Sequence, residues 1–133
     1  MKSNGEEGAG DDALVARVHT RVMGEIRSAR QAQYRTVRAV EGGWEELAPG
    51  VLRKMLLVTA DAQSCLVRLA PGAQVPAHTH PVDEECVVLE GSVRIGADLV
   101  LGQGDFHVGR AGSVHGMTSS ESGALVYLRG AVD

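Results

Sequence analysis

The sequence predicts an all-β protein, a barrel or sandwich of short strands, preceded by one helix. Seventeen glycines are present, and most lie between short apolar runs. After residue 35, turn signals recur every 8 to 12 residues, which is typical of closed or stacked β-structure. Apolar residues make up 44% of the 133-residue chain and aromatic residues only 3%. We therefore expect one domain with a mainly aliphatic core.

The chain is predicted to have three parts. Residues 1–11 are rich in Gly, Glu, Ser and Asn and are expected to form a disordered tail. Residues 12–35 form a helix and a connector, with the helix over 12–31 and Asp11 or Asp12 as its N-cap. Residues 36–133 form the barrel, since no linker interrupts the strand pattern there.

The predicted helix carries an apolar stripe at four-residue spacing, formed by Leu14, Val18, Val22 and Ile26. The stripe is either a surface for a partner or a second copy, or it packs on the outside of the barrel. A short strand is expected at 36–40, and turns are expected around Trp44. The other strands or extended segments are predicted at 52–59, 64–70, 75–80, 84–89, 92–95, 99–101, 106–108, 113–117 and 124–129.

Charge, hydropathy and cysteine content indicate which partners and which cellular compartment to expect. The net charge of −4 provides no broad attraction for nucleic acid. No apolar signal core or membrane-length segment is visible. Cys65 and Cys86 lie in apolar runs outside any C-x-x-C pair, which indicates buried, reduced thiols in a cytoplasmic protein. Pairing of the two with each other stays open, since neighbouring strands would bring them close.

The stretch His78-Thr79-His80 indicates a metal site. On a strand, residues i and i+2 face the same way with Cα atoms roughly 6.5–7 Å apart, so the two imidazoles converge. A carboxylate from Glu84 or Glu85 returns to them after the turn at 81–83. Spacing does not choose between these two acids, and an H-x-H pair alone also suits surface histidines. Imidazole with carboxylate suits Zn, Fe, Mn, Ni or Cu.

The residues around this pair resemble the cupin superfamily. Its first motif, G-x5-H-x-H-x3,4-E-x6-G, is matched at every fixed position, by Gly72, His78, His80, Glu84 and Gly91. The six-residue step to Gly91 selects Glu84 over Glu85. The second motif, G-x5-P-x-G-x2-H-x3-N, is matched at Gly104, Gly112 and His115. It departs at Arg110 and Ser119, and neither departure removes a ligand.

The resemblance implies an RmlC-like double-stranded β-helix, a jelly-roll barrel that holds one divalent metal ion. Its ligands are implied to be His78, His80, Glu84 and His115. Zinc is the expected metal, with Fe, Mn or Ni as alternatives, and no organic cofactor is expected. By strand alternation, Cys86 faces inward near the metal, where it is most simply a small buried residue. His107 matches no ligand position and is expected to face solvent or to lie behind the ligands.

Residues 42–57, 68–91 and 104–116 are more specifically similar to the C-terminal cupin domain of ChrR-type anti-sigma factors. In that family the cupin binds zinc and takes part in sensing reactive oxygen, while an N-terminal zinc-binding helical domain holds the sigma factor. No C-x-x-C pair precedes residue 36, so sigma-factor binding by that route is not expected. The resemblance implies a regulatory role in sensing an oxidant or a small molecule, with that molecule bound in the barrel.

An enzyme is the alternative. Similar stand-alone cupins with three histidines and one glutamate include iron dioxygenases and other oxidoreductases. The metal's positive charge would suit a small enolisable substrate, and an open coordination position would let Fe or Mn act on it. No catalytic residue is assigned. A homodimer is expected, because many cupins dimerise and the helix offers an apolar stripe.

Overall fold

The computed structural model describes residues 7–133, apart from the side chains of residues 7–10 and 25–32. The chain divides into two compact units, Met1–Ala39 and Val40–Asp133. The first contains the helix and the second contains the strands. In the part of the chain that is described, no helix combines the length and apolarity needed to cross a membrane.

The helix, α1, spans Glu7–Gln33 and so begins five residues before its predicted start. The tail prediction is therefore wrong for residues 7–11, and residues 1–6 lie outside the described part. Asp11 and Asp12 lie inside the helix rather than at its N-cap. Their negative charges lie toward the N-terminal, positive end of the helix dipole, which is favourable for the helix.

The strands are β1 Trp44–Ala48, β2 Val51–Val58, β3 Gln63–Leu69, β4 Gln74–Val75, β5 His78–Thr79, β6 Glu84–Ile95, β7 Leu99–Gly102, β8 Phe106–Gly109, β9 Val114–His115, β10 Thr118–Ser119 and β11 Ala124–Gly130. The strand predicted at 36–40 is absent, since residues 34–40 are irregular or in a turn. A strand instead begins at Trp44, where turns were expected. β1 pairs only with β2, at the sheet edge, where charged residues such as Glu45 and Glu46 are well tolerated.

The main sheet has the order β1-β2-β3-β11-β6-β10-β4, with β7 and β8 also paired to β6, and it nearly closes into a barrel. β6 links its two halves. The first part of β6 pairs with β8 and β11, and its last four residues pair with β7 and β10. β5 and β9 form a separate two-stranded sheet.

β6 changes partners near Gly91, where two separate strands were predicted. Gly91 has a φ of +74°, which L side chains rarely adopt, and a Cβ there would lie 2.1 Å from the carbonyl oxygen of Gly123. The pairing with β11 also shifts register between Leu125 and Val126. Glycine thus lets one strand bend through both halves of the barrel instead of ending.

The core is built from layers of side chains on the inner face of β3, β11 and β6. Val67, Val126 and Val88 lie directly opposite one another, at 6%, 4% and 0% exposure. The next layer toward the mouth aligns Leu128 with a cysteine on each side. The core is aliphatic, as predicted, and burial of each such side chain contributes about 1.5–3 kcal/mol.

The two cysteines occupy that second layer without meeting. Cys65 and Cys86 both face Leu128, which lies on the strand between theirs. Two strand spacings separate their Cα atoms by about 10 Å, well beyond the ~7 Å limit for a disulfide. Both thiols are free and buried, so mutual pairing, the alternative that the sequence left open, does not occur.

Candidate metal centre

The layer above the cysteines lies at the barrel mouth and contains the carboxylate of the site. Glu84 on β6 pairs with Gly109 on β8, and Gly130 on β11 lies on its other side. A Cβ at Gly130 would stand 3.3 Å from Oε2 of Glu84. The missing side chain of Gly130 therefore leaves a slot for this carboxylate. Glu85 points to the opposite face by strand alternation.

The histidines reach the same place from the small β5–β9 sheet. His78 lies directly opposite His115 in this pairing. His80 follows β5 and is tied to the second motif by its own backbone. Its N–H donates to the carbonyl of Ser113 at 3.1 Å, and its carbonyl accepts from the N–H of Gly112 at 2.8 Å. The β5–β9 pairing and the two backbone hydrogen bonds of His80 thus join the two cupin motifs.

Three of the four predicted ligands form a cluster that could hold a metal ion, and the ring of His115 lies beside it. Ligand atoms of His78, His80 and Glu84 all lie within 4.8 Å of one another. Oε1 of Glu84 is 3.8 Å from Nε2 of His78 and 3.7 Å from Nε2 of His80. The ring of His115 is centred 5.0 Å from that of His78 and 5.1 Å from that of His80. Tetrahedral ligands of zinc at about 2.1 Å stand roughly 3.4 Å apart, close to the two distances from Oε1 of Glu84 to the histidine nitrogens.

Two of the imidazoles have their tautomer set by a backbone carbonyl. Nδ1 of His78 is 3.1 Å from the carbonyl oxygen of Pro76, and Nδ1 of His115 is 2.8 Å from that of Gly116. A carbonyl oxygen only accepts, so each Nδ1 carries the proton and donates it. Nε2 of His78 and of His115 is left with a free lone pair, the form in which imidazole binds a metal.

A two-step relay does the same for His80. The hydroxyl of Ser113 donates to the carbonyl oxygen of Arg110 at 2.5 Å, so its oxygen accepts from Nδ1–H of His80 at 3.1 Å. Nε2 of His80 therefore holds the lone pair. Arg110 stands where the cupin motif has proline, and its carbonyl anchors this relay.

Nε2 of His80 is the strongest indication that a cation belongs here. The His80 residue is 3% exposed, and among the described residues this buried nitrogen has no hydrogen-bond partner. A buried polar atom without a partner costs about 1–3 kcal/mol. A metal ion between Nε2 and the carboxylate of Glu84 would remove that cost. The donor set and its tautomers therefore fit a divalent metal.

Gly109 provides the space in which the ring of His80 lies. A Cβ at this glycine would lie 2.4 Å from Cε1, 2.7 Å from Nδ1 and 3.0 Å from Nε2 of the His80 ring. The ring thus occupies the volume that any larger residue would fill. Sequence reasoning missed Gly109 and Gly130 as well as Ser113, because each acts across a strand pairing and none carries a distinctive local pattern.

Burial governs protonation around the site. It lowers the pKa of His115, helped by the neighbouring His78 and His80, against the opposing effects of the hydrogen bond to Gly116 and the charge of Glu84. Burial raises the pKa of Cys86 to about 12, with the charge of Glu84 acting in the same direction. His115 is therefore neutral and ready to bind at pH 7, whereas the thiol of Cys86 stays protonated and is a poor ligand.

His107 lies behind the ligands, the second of its two predicted placements. It is partly buried, and its ring centroid is 5.8 Å from that of His115. It lies opposite Cys86 in the β6–β8 pairing, and both residues line an inner chamber of about 60 Å³ with His78, Glu84 and His115. The chamber is far smaller than the 300–1,000 Å³ of typical organic-ligand sites.

A second space reaches the site from outside. A groove of about 260 Å³ runs from the candidate ligands to Asp133 and is lined in part by Arg53, Gln63, His78, His80, Glu84 and Asp133. It approaches the lower end of the volumes that hold organic ligands. The candidate centre is thus accessible to very small molecules on one side and to a small organic molecule on the other.

A nearly closed β-barrel with three histidines and one glutamate at its mouth defines a cupin with a candidate metal centre. Residues 32–132 match the family described as the ChrR cupin-like domain, and the chain belongs to this family. The family model covers both motifs and all four candidate ligands.

Three relatives show how far the likeness extends. The chain is 31% identical to the pectin degradation protein KdgF of Dickeya dadantii (strain 3937) over 90 residues, 65% of this chain and 82% of that protein. It superposes on the Rhodobacter sphaeroides structure of SigE in complex with the anti-sigma ChrR with a TM-score of 0.62 and 25% identity, covering 70% of this chain. The match spans only 50% of that chain.

The third relative, an RmlC-like cupin from Shewanella frigidimarina, has 19% identity and a TM-score of 0.62, with coverage of 74% of this chain and 94% of the other. At this identity the likeness shows the fold alone. It confirms the jelly-roll barrel that the sequence predicted.

Proposed function

We propose that this protein binds one divalent metal ion through His78, His80, Glu84 and His115 and serves a regulatory role as a sensor of an oxidant or a small molecule. The observation that carries the proposal is the buried, unpartnered Nε2 of His80 facing the carboxylate of Glu84. Three imidazoles and one carboxylate can satisfy zinc in a closed tetrahedral site, so zinc is the proposed metal. Fe, Mn and Ni are the alternatives.

Two features support a sensing role. The chain belongs to the ChrR cupin-like family, and a structural relative is an anti-sigma factor. The inner chamber beside the ligands is of a size that suits a molecule such as peroxide. Burial raises the pKa of Cys65 to about 11 and that of Cys86 to about 12, so neither thiol is a ready target for oxidation. The ligand imidazoles are then the proposed target. Two free thiols also support a cytoplasmic location.

The sensing role is tested by titrating zinc-loaded protein with hydrogen peroxide while zinc release is measured with a chromogenic chelator. We expect release, because transfer of one peroxide oxygen to the ring carbon between the nitrogens of a ligand imidazole, with the other oxygen leaving as water, gives a ring with N–H at both nitrogens and no lone pair for the ion. The Cys65→Ala/Cys86→Ala double variant should release zinc equally. Full retention of zinc at peroxide levels that oxidise exposed methionine would contradict the sensing role, and loss of release in the double variant would move it to the thiols.

A second candidate is a metal-dependent dioxygenase or other oxidoreductase acting on a small enolisable substrate. The outer groove favours it, because His78 and Glu84 line a space of about 260 Å³ that would admit such a molecule. The 31% identity to a pectin degradation protein also supports a catalytic relative. Oxygen uptake by Fe- or Mn-loaded protein with simple β-diketones would support this candidate. No uptake with either metal would argue against it.

A further inference from the structure

Arg53 is a cation on the inner face of an aliphatic barrel. It lies on β2 directly opposite Val67, and its side chain is only 16% exposed. Charged groups in such places are costly unless they are paired. Two carboxylates pair with Arg53, and both are far more exposed to solvent than Arg53 itself.

Both partners of Arg53 lie at the surface. Its Nη2 is 2.6 Å from Oε1 of Glu45, and its Nη1 is 2.6 Å from Oδ2 of Asp133. The side chains of Glu45 and Asp133 are 55% and 63% exposed. Burial opposes the charge of Arg53, but the hydrogen bonds to these carboxylates raise its pKa. The cation is thus fixed and shielded, while its partners reach it from solvent.

The Asp133 carboxylate is held by a second donor from the groove wall. The side-chain amide of Gln63, a residue 8% exposed, donates from Nε2 to Oδ1 of Asp133 at 3.1 Å. One oxygen of this carboxylate therefore lies on Arg53 and the other on Gln63. Two shielded donors, a guanidinium and an amide, form a receptor of the kind that recognises a carboxylate.

The receptor opens into the groove that reaches the metal ligands. Arg53, Gln63 and Asp133 line the same space of about 260 Å³ as His78 and Glu84. That volume holds a small organic molecule and excludes a folded partner. A ligand whose carboxylate replaced that of Asp133 would have its other end directed along the groove toward His78 and Glu84.

We infer that Arg53 and Gln63 bind the carboxylate of a small organic acid, in a position that the side chain of Asp133 occupies when no ligand is bound. The rest of the acid extends toward the metal ligands. Only this second contact rests on the proposed metal-binding function, because the carboxylate receptor is formed by Arg53 and Gln63 themselves.

Isothermal titration calorimetry of the zinc-loaded full chain with malonate, succinate and citrate tests the inference by measuring the affinity for each acid. We expect Arg53→Met to weaken binding at least about tenfold, since the charge-assisted contact to one carboxylate oxygen is lost and only Gln63 remains. Asp133→Asn should tighten binding several-fold, because the competing carboxylate is removed. Arg68→Met is the matched control. Arg68 is also a strand arginine near a carboxylate, that of Glu90, but it lines a different groove, so its loss should leave affinity unchanged.

Metal content, measured on the same samples, separates the two proposals. One zinc per chain with no acid bound by the wild type or Asp133→Asn would overturn this inference and leave the proposed function standing. Acid binding that depends on Arg53 in a protein that takes up no metal would support the receptor and overturn the metal site. If Arg53→Met fails to fold, Asp133→Asn decides, and an affinity equal to or below that of the wild type overturns the inference. Equal binding of uncharged succinamide would also overturn it.

Discussion

At the scale of single residues, the candidate site depends on the oxygen atoms that accept a hydrogen bond from Nδ1–H of each imidazole. Ser113 is the member of this set that a substitution tests best, because Pro76 and Gly116 act through backbone carbonyls. Its hydroxyl accepts from Nδ1 of His80 and donates to the carbonyl of Arg110. The relay is the reason that Nε2 of His80 faces Glu84 with a free lone pair.

Ser113→Ala should lower zinc affinity about 10- to 100-fold, the usual effect of removing a group that orients a metal-binding histidine. The measurement is a competition titration against a chromogenic chelator. Ser122→Ala, at an exposed serine, is the control and should leave affinity unchanged. Equal affinity of the Ser113→Ala variant and the wild type would show that packing alone orients His80.

The lowered pKa of His115 predicts how metal-free protein responds to acid. Its folded pKa lies below the ordinary value of 6.5, so the unfolded chain binds more protons in the range just below 6.5. Stability then falls as pH is lowered through that range, and acidification disfavours metal binding as well. Urea unfolding at pH 7.5 and 5.5 should give a lower midpoint at 5.5. His115→Gln should reduce the difference, and an unchanged difference would assign it to other groups.

At the scale of elements, glycines on the strands make room for the candidate ligands, because a glycine has no side chain to fill the space beside them. Gly109 on β8 and Gly130 on β11 flank Glu84, and the ring of His80 fills the space above Gly109. β6 carries Glu84 into this slot and continues through the bend at Gly91 into the other half of the barrel.

Gly109→Ala should displace His80 and lower zinc affinity at least about tenfold, because the new Cβ would lie within 3.0 Å of three ring atoms. Gly102→Ala is a matched strand control, since the nearest atom to its Cβ would be 3.9 Å away. Chelator competition measures affinity, and thermal unfolding measures stability. Wild-type affinity in Gly109→Ala would contradict the assigned position of His80.

The local sequence predicted the positions of most strands better than it predicted where strands continue, end or pair. Glycine-separated apolar runs gave most strands within one or two residues, but Gly91 was predicted to end a strand that it instead bends. β1 was missed because Trp44-Glu45-Glu46 lacks apolar alternation and is held by pairing with β2. The H-x-H spacing pointed to a metal by itself. The choice of Glu84 and the arrival of His115 needed the family motifs, since both depend on long-range register.

At the scale of the whole molecule, the described apolar residues of the α1 stripe remain a candidate association surface. Leu14, Val18 and Val22 of the stripe, together with Val15 and Met23 beside them, are 42–67% exposed. Exposed apolar residues that follow one helix face are typical of association surfaces. Homodimer formation is therefore kept as a proposal.

Light scattering should give twice the 14.0 kDa chain mass. Val18→Lys combined with Val22→Lys should shift the protein to monomer, because two charges would be buried in the interface. Thr20→Lys, an exposed position on the same helix, is the control and should leave the dimer intact. A monomeric mass for the wild type at micromolar concentration would refute the dimer.

The central claim is that four side chains hold one divalent ion at the barrel mouth. Elemental analysis of protein purified without chelator tests it most directly. We predict about one metal ion per chain, zinc in the first instance. His80→Ala should remove most of it, whereas His107→Ala, which removes a histidine that lines the inner chamber beside the candidate ligands, should retain it. A metal-free wild-type protein, or equal losses in the two variants, would contradict the account.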